Sequence, residues 1–434
     1  MHAQCPPLGR TTTQNTIWQA AKITATNTTG SGMLDICQGN GQIWEGFGGC
    51  FNELGEIALR GLARKQQDEI VHALFSKKGC NFNYGRMSIG ANDYAASWYS
   101  HNETDGDFTM RQFSIARDRQ YVIPYIRRAQ ALRKDLTMFA SPWSPPTWLK
   151  TPQAYNYGTL IWKKRHLDAY ALYFAKFCEA YASIGIPIRQ IHIQNEPVAN
   201  QKFPSCVWTG EQLRDFIRDH IGPLFRRRRI DCELWLGTLN TADYDAFPFT
   251  VLSDPKAHAY VAGVGFQWDG KGAVQRTHDA WPEKRLMQTE NECGDGQNTW
   301  EYAGYVFNLI QHYLANGVNA YLYWNMVLEP GGRSTWGWNQ NAMITVDRNR
   351  KNYTLNPEFH VMKHFAHFIR PGAQRLDLSG PWASNAVAFR NPDERTVCVL
   401  RNPLKTPRQI TLKNPSGRLF KMQAPAQSIN TVML

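Results

Sequence analysis

Ile191-His192-Ile193-Gln194-Asn195-Glu196-Pro197 alternates branched apolar with polar side chains and stops at a proline, which has no N–H to donate to a sheet. The stretch reads as a short inner strand. It sets Glu196 at the carboxyl end of that strand, beside an amide, Asn195, suited to orienting a hydroxyl. A second acid stands in the same kind of place in Arg285-Leu286-Met287-Gln288-Thr289-Glu290-Asn291-Glu292-Cys293-Gly294. The carboxyl ends of barrel strands are where barrel enzymes carry their chemistry, and two strand-end acids are what a glycosidase needs.

Working outward, strand patterns fall at 46–53, 83–90, 137–143, 191–197, 234–239, 263–268, 285–290 and 320–325. Helical periods lie between them at 54–74, 120–134, 167–184, 211–225 and 300–316. Regular βα alternation implies a parallel sheet with helices outside, and eight units over about 320 residues suit an α/β fold of the (β/α)8 TIM-barrel type. The glycines of Gly46-Phe47-Gly48-Gly49 match neither the phosphate-loop spacing nor the dinucleotide fingerprint, so they read as close backbone packing in the first strand.

The two chain ends differ from this middle. Residues 11–45 are rich in Thr, Asn, Gly and Gln, with alternating pieces such as Lys22-Ile23-Thr24-Ala25-Thr26. After a helical stretch at 357–368 the composition changes at Arg370-Pro371-Gly372, and short alternating runs follow at 386–389, 397–400, 409–413 and 419–422. Neither end has enough segments for its own sandwich, so both are expected to build one small all-β side domain. The expected division is 1–42 and 371–434 for that domain, with the barrel at 43–370.

At 19% charged and 12% aromatic residues, the 434-residue chain is not of the disordered class. Fifteen tryptophans exceed what a core needs and suit the apolar faces of sugars. A net charge of +12 favours acidic partners such as polyanions or anionic membranes. The compact run Arg226-Arg227-Arg228-Arg229 lies between a helix and a strand and reads as a solvated helix end; with no recognition motif beside it, no nucleic-acid partner is expected. Nine cysteines, without a CxxC pair or metal-ligand spacing, imply mostly free thiols and no metal site; Cys5 and Cys50 are the ones open to pairing in an exported protein. No apolar run reaches the length of a membrane span. The start, Met1-His2-Ala3-Gln4-Cys5, has no apolar signal core, so the expected secreted or periplasmic location requires a leader already removed.

Hydrolysis of a glycosidic bond needs one carboxyl group to protonate the leaving oxygen and a second to attack the anomeric carbon or activate water. With two such acids in place, the sequence resembles glycoside hydrolase family 30, the family of acid β-glucosidase, over nearly its whole length. The resemblance is carried by Glu45-Gly46-Phe47-Gly48-Gly49, Ser141-Pro142-Trp143-Ser144-Pro145-Pro146-Thr147-Trp148-Leu149-Lys150, Gln194-Asn195-Glu196-Pro197 and Trp324-Asn325. It implies that Glu196 is the general acid/base and Glu290 the nucleophile. Glu292 competes for the second role, because strand alternation points both glutamates to one side; Glu290 is preferred since 286–289 fits the strand directly before it.

The resemblance also implies sugar contacts from Arg86 and Asp93, which match in type and spacing, from Trp143 and Asn195, from Trp324 as a pocket floor, and more loosely from Asn339. Arg86 also reads as a structural ion-pair partner and Trp143 as ordinary packing. One stretch departs from the family: glucosylceramidase-like members carry a tyrosine that touches the nucleophile, where this chain has Phe266-Gln267-Trp268-Asp269-Gly270-Lys271-Gly272. Trp268 and Asp269 are expected to bind substrate, and Asp269 and Lys271 to reshape the leaving-group side, where a second acid could raise a neighbour's pKa; Lys271 reads equally as a loop residue pointing at solvent. The predicted loops holding Tyr155-Asn156-Tyr157 and 331–338 add aromatics at the mouth.

The expected activity is retaining hydrolysis of β-D-glucosidic bonds in a β-glucoside or β-glucan, through a covalent glycosyl-enzyme and with no metal or organic cofactor. A β-xylosidase or xylanase is the alternative within the family. A non-catalytic carbohydrate-binding barrel and a polyanion binder are the alternatives outside it. Glu196 is expected to hold the higher pKa of the two acids.

Overall fold

In the computed structural model, which describes residues 6–30 and 32–434, eight parallel strands close into a ring. They are β1 (Gly46–Phe51), β2 (Tyr84–Ser88), β3 (Thr137–Ser141), β4 (Ile188–His192), β5 (Glu233–Leu239), β6 (Val261–Gln267), β7 (Arg285–Glu290) and β8 (Ala320–Asn325). Each pairs with its predecessor in the chain, and β8 pairs with β1. All six residues of β1 and all six of β8 are buried, as strands covered on both faces must be. Gly48 is required there: a Cβ would stand 2.1 Å from the Tyr84 carbonyl oxygen. Below the mouth, Tyr84, Phe139, Trp235, Met287 and Leu322 fill the lumen, and the His192 ring lies 5.1 Å from that of Trp235. The lumen is a packed core, so the cavity that matters lies at the carboxyl ends of the strands.

β4 is shorter than its sequence pattern suggests. Regular pairing ends at His192, four residues before Glu196. The next amides still find partners, but on changing neighbours: Gln194 N–H donates to Gly237 O (3.1 Å), Asn195 N–H to Pro142 O (2.8 Å) and Glu196 N–H to Thr238 O (2.9 Å). Glu196 has φ +52°, a conformation that costs a non-glycine residue energy and here swings its side chain over the mouth. The long helix expected at 54–74 is two, Glu53–Arg60 and Arg64–Phe75, separated at Gly61, against which the Arg348 side chain packs. That at 211–225 runs from Gly210–Phe216 through a wider turn, Ile217–Ile221, into Gly222–Arg228; Pro223, with no N–H, interrupts the ladder. The arginine run closes this helix, with Arg228 paired to Glu179 at 2.7 Å and Arg226 over the Tyr260 ring.

Both chain ends do build one β domain. A six-stranded sheet places Leu8–Thr12 beside Ser428–Met433, and a five-stranded sheet includes Ile23–Thr26, Met33–Ile36, Arg408–Lys413 and Leu419–Ala424. Leu34, Ile36, Leu400, Ile410, Leu412 and Val432 form the core between them. Ser428–Met433 has no clean apolar alternation because its buried polar residues serve the seam with the barrel: His364, on the helix Pro357–Ala366, is 2.8 Å from both Thr431 Oγ1 and Thr12 Oγ1. The eight described cysteines are all free, Cys50 among them and buried; Cys5 lies outside the described residues. Among the described residues no helix is long and apolar enough to cross a membrane.

Trp44 joins the two domains. Fully buried at the entry to β1, it packs 4.4 Å from the Phe47 ring and 5.8 Å from the Phe389 ring of the sandwich. Trp44→Ala is expected to lower the unfolding free energy by about 3–5 kcal/mol in urea titrations while leaving the specific activity of the folded fraction near wild type.

Candidate active site

Arg86 rises from β2 into the centre of the mouth with no solvent exposure. A buried guanidinium is costly unless its donors are used, and here all of them but Nε are. Nη1 donates to Glu290 Oε2 at 2.9 Å and to Gln267 Oε1 and Thr289 O at 3.2 Å; Nη2 donates to Asn195 Oδ1 at 2.6 Å and Ser141 Oγ at 3.0 Å. Its carbon lies 4.6 Å from the Trp143 ring and 5.3 Å from that of Trp324.

Asn195 Oδ1 also accepts from Thr238 Oγ1 and Gln267 Nε2, both at 3.1 Å. Three donors on one oxygen fix the amide's orientation and leave Nδ2 to face the cavity. Gln267, the buried last residue of β6, is fixed in turn because its Oε1 accepts from Arg86 and from Thr289 Oγ1 at 2.9 Å. Its Nε2 therefore donates to Glu196 Oε1 at 2.9 Å and to Glu290 Oε2 at 3.3 Å. The remaining Glu290 oxygen accepts from the Trp268 indole at 3.1 Å. Trp268 reaches it by adopting φ +49°, which turns the chain sharply after β6.

Burial raises both acids, Glu196 and Glu290, to about 7; the Glu290 charge adds to the cost of ionising Glu196, and the Asp93 charge to that of ionising Glu290. The contacts decide which gives up its proton first. Glu290 has the guanidinium and two further N–H donors, whereas Glu196 has one neutral amide, so of the pair Glu290 ionises first and Glu196 keeps the proton. Asp93, on the loop after β2, is a third buried acid, raised to about 7 chiefly by burial, and its Oδ1 has no protein partner.

Asp93, Trp143, Asn195, Glu196, Trp268, Asp269 and Glu290 line one cavity of about 220 Å³. Arg86 lies beneath it. Trp324 does not line it: this residue is stacked 5.4 Å below Trp143 and braces the floor instead of forming it. Asn339 is not brought to the site; it is exposed on the loop after β8, where it bridges to Arg333, and the next residue, Gln340, lines the cavity in its place. Glu292 does not point to the side of Glu290. Beyond the end of β7 strand alternation no longer holds, and Glu292 turns outward to Lys271 at 2.7 Å and the Tyr305 hydroxyl at 2.6 Å. Asp269 is mostly exposed and faces Lys271 at 3.7 Å; the second acid bearing on Glu290 is Asp93.

Sequence reasoning passed over Gln267, although a polar residue closing an apolar inner strand was the available signal. It also passed over Gln201, Phe203 and Asn240, which line the outer cavity from the loops after β4 and β5; Trp338, beside them, comes from the loop at 331–338 that was expected to bring aromatics to the mouth. A larger open depression of about 620 Å³ beside Arg227 and Arg228 has no convergent acids. Several of its charges are already paired, as in Lys164–Asp168 and Arg228–Glu179.

Residues 44–369 match the glycosyl hydrolase family 30 TIM-barrel domain, and residues 372–432 match the glycosyl hydrolase family 30 beta sandwich domain. The chain belongs to glycosyl hydrolase family 30. It is 28% identical to mouse lysosomal acid glucosylceramidase, over 94% of this chain and 84% of that protein. It is 26% identical to the endo-1,6-β-D-glucanase of Neurospora crassa, over 96% and 91% respectively. Among solved structures, SrfJ from Salmonella typhimurium superposes with a TM-score of 0.90 at 22% identity, covering 99% of both chains. The endo-β1,6-glucanase BT3312 gives 0.88 at 22% identity, covering 98% of both. At such identity the two structures speak for the fold.

The family 30 site stores a pH dependence of stability. Asp93 binds its proton more tightly folded than unfolded, so its contribution is full below the unfolded carboxylate range and is lost as pH rises towards about 7. Urea midpoints of the wild type are therefore expected to fall between pH 5 and pH 7.5, and Asp93→Asn is expected to make that fall shallower.

Proposed function

We propose that this family 30 member is a retaining β-glycosidase that cleaves β-D-glucosidic bonds by double displacement. The observation that carries the reading is the amide of Gln267. One nitrogen bonds Glu196 at 2.9 Å and Glu290 at 3.3 Å, so the two oxygens are separated by no more than the sum of these bonds. Two acids sharing one amide nitrogen in this way are compatible with the roughly 5–5.5 Å between the carboxyl groups of retaining enzymes, which leave no room for a water between them.

In this reading ionised Glu290 attacks the anomeric carbon while Glu196 gives its proton to the departing oxygen, leaving a glycosyl ester on Glu290. Water then gives a proton to Glu196 and its oxygen to the anomeric carbon, which frees Glu290 and restores the original configuration. Asn195 Nδ2 is placed to hold the hydroxyl beside the reacting carbon, and Asp93 to accept from other hydroxyls. Glucose as the sugar is supported by the relatives named as glucosylceramidase and endo-1,6-β-D-glucanase.

Activity requires Glu290 ionised and Glu196 protonated, so kcat/KM is expected to fall as pH rises through about 7. Gln267→Leu removes a donor that favours the Glu196 carboxylate, so the basic limb is expected to move to higher pH as kcat drops. Glu196→Ala should lose about 10²–10⁴-fold on substrates whose leaving group needs a proton and should yield a β-glycosyl azide with added azide. Glu290→Ala should be inactive and yield the α-azide. A Glu290→Ala variant near wild type beside a dead Glu292→Ala would sink the assignment. A panel of aryl β-glucoside, β-xyloside and β-galactoside tests the sugar.

A further inference from the structure

Beyond Glu196 the cavity acquires an aromatic wall. Phe203, on the loop that carries Glu196, lies 4.9 Å from the Trp336 ring, and Trp336 lies 4.9 Å from Trp338 at an interplanar angle of 84°. The Lys202 ammonium covers Trp336 at 4.9 Å. The loop with these tryptophans follows β8, which faces β4 across the ring of strands, so the contact spans the mouth. The loop is held in place: Tyr94 Oη donates to Gly332 O at 2.7 Å, and Trp338 N–H donates to Ser334 Oγ at 3.0 Å while its carbonyl accepts from Ser334 N–H at 2.7 Å. Trp338 is thereby presented to the cavity at 39% exposure, supported from behind by Trp336.

The other groups lining this outer half are polar. Gln201, Asn240 and Asp269 come from the loops after β4, β5 and β6, and Gln340 has its Oε1 occupied by Asn325 Nδ2 at 2.8 Å, leaving its Nε2 to donate. An aromatic face opposed by amides and a carboxylate matches a pyranose, which has an apolar C–H face and a rim of hydroxyls. An alkyl chain would stack on Trp338 but leave these polar groups desolvated and unpaired, at a cost.

We infer that the outer half of the cavity is a leaving-group subsite for a second pyranose, with Trp338 as its stacking platform, and that the substrate is a β-linked gluco-oligosaccharide and not a lipid glucoside. This rests on the reading of Glu196 as the acid, since the leaving group lies on the side of the residue that protonates it.

The test compares wild type and Trp338→Ala on β-glucosyl fluoride, whose leaving group fills no subsite, on a set of β-linked glucose disaccharides, and on octyl β-glucoside. Wild type is expected to prefer the best disaccharide to the octyl glucoside by about tenfold or more in kcat/KM. Trp338→Ala should lower kcat/KM for that disaccharide about tenfold, mainly through KM, while fluoride hydrolysis stays within about twofold. Calorimetric titration of the same disaccharides into Glu290→Gln, with and without Trp338→Ala, should show the same weakening without turnover. Equal losses on fluoride and disaccharide, or a wild-type preference for the octyl glucoside, overturn the subsite. If no substrate is cleaved, the proposed function fails; disaccharide binding that depends on Trp338 would still support the subsite, and its absence would overturn that as well.

Discussion

The buried ion pair between Arg86 and Glu290 is the constraint on which the site depends. Taking both charges out of water is costly, and the attraction between them repays this only if the remaining donors and lone pairs are satisfied. Here both terminal nitrogens of the guanidinium are satisfied by five oxygens, Nε alone is without a partner, and the plane lies against Trp143 and Trp324. The five oxygens come from four strand ends or the loops beyond them, two of them from β7, so satisfying one cation aligns β3, β4, β6 and β7 around β2. Removing Arg86 would leave a buried carboxylate without its partner and release the amide of Asn195.

One cation cannot hold three carboxylates ionised in such a place. Burial pushes Glu196, Glu290 and Asp93 alike up to about 7, and only Glu290 has the direct contact with the guanidinium that favours its ionised form. In the proposed mechanism the imbalance is useful, because it keeps a proton at Glu196 near neutral pH, where a general acid needs one. Gln267 ties the acids together without altering the charge. A cationic residue in its position would favour ionisation of both and weaken the acid; a carboxylate would add a fourth claimant.

The scaffold separates stability from specificity. Below the site the lumen is filled with apolar rings, and the sandwich braces the barrel through Trp44, Phe389 and His364. Above it, loops from opposite sides of the ring meet through Phe203 and Trp336. Residues on these loops carry none of the barrel's hydrogen-bond ladder, so they can change what leaves the site without disturbing what reacts in it.

Most of this architecture is legible in the sequence, because period and punctuation are local properties. The eight inner strands, the break at Arg370-Pro371-Gly372 and the two acids at Glu196 and Glu290 follow from alternation, proline and glycine alone. What escaped depends on contacts between distant segments. Ser428–Met433 looks unlike a strand because its buried Asn430 and Thr431 answer to Thr11 and His364. Glu292 and Glu290 have the same local pattern, and only the turn after β7, with Lys271 waiting outside, sends them to different environments. Gln267 is one polar residue among many until folding brings Arg86, Asn195 and both acids within reach of its amide. The sequence by itself determined which residues form strands and which acids end them, since backbone preference and side-chain period act over a few neighbours. Tertiary structure alone decided which of those acids meet around one guanidinium and which aromatics line the cavity, because burial and charge proximity exist only once the ring is closed.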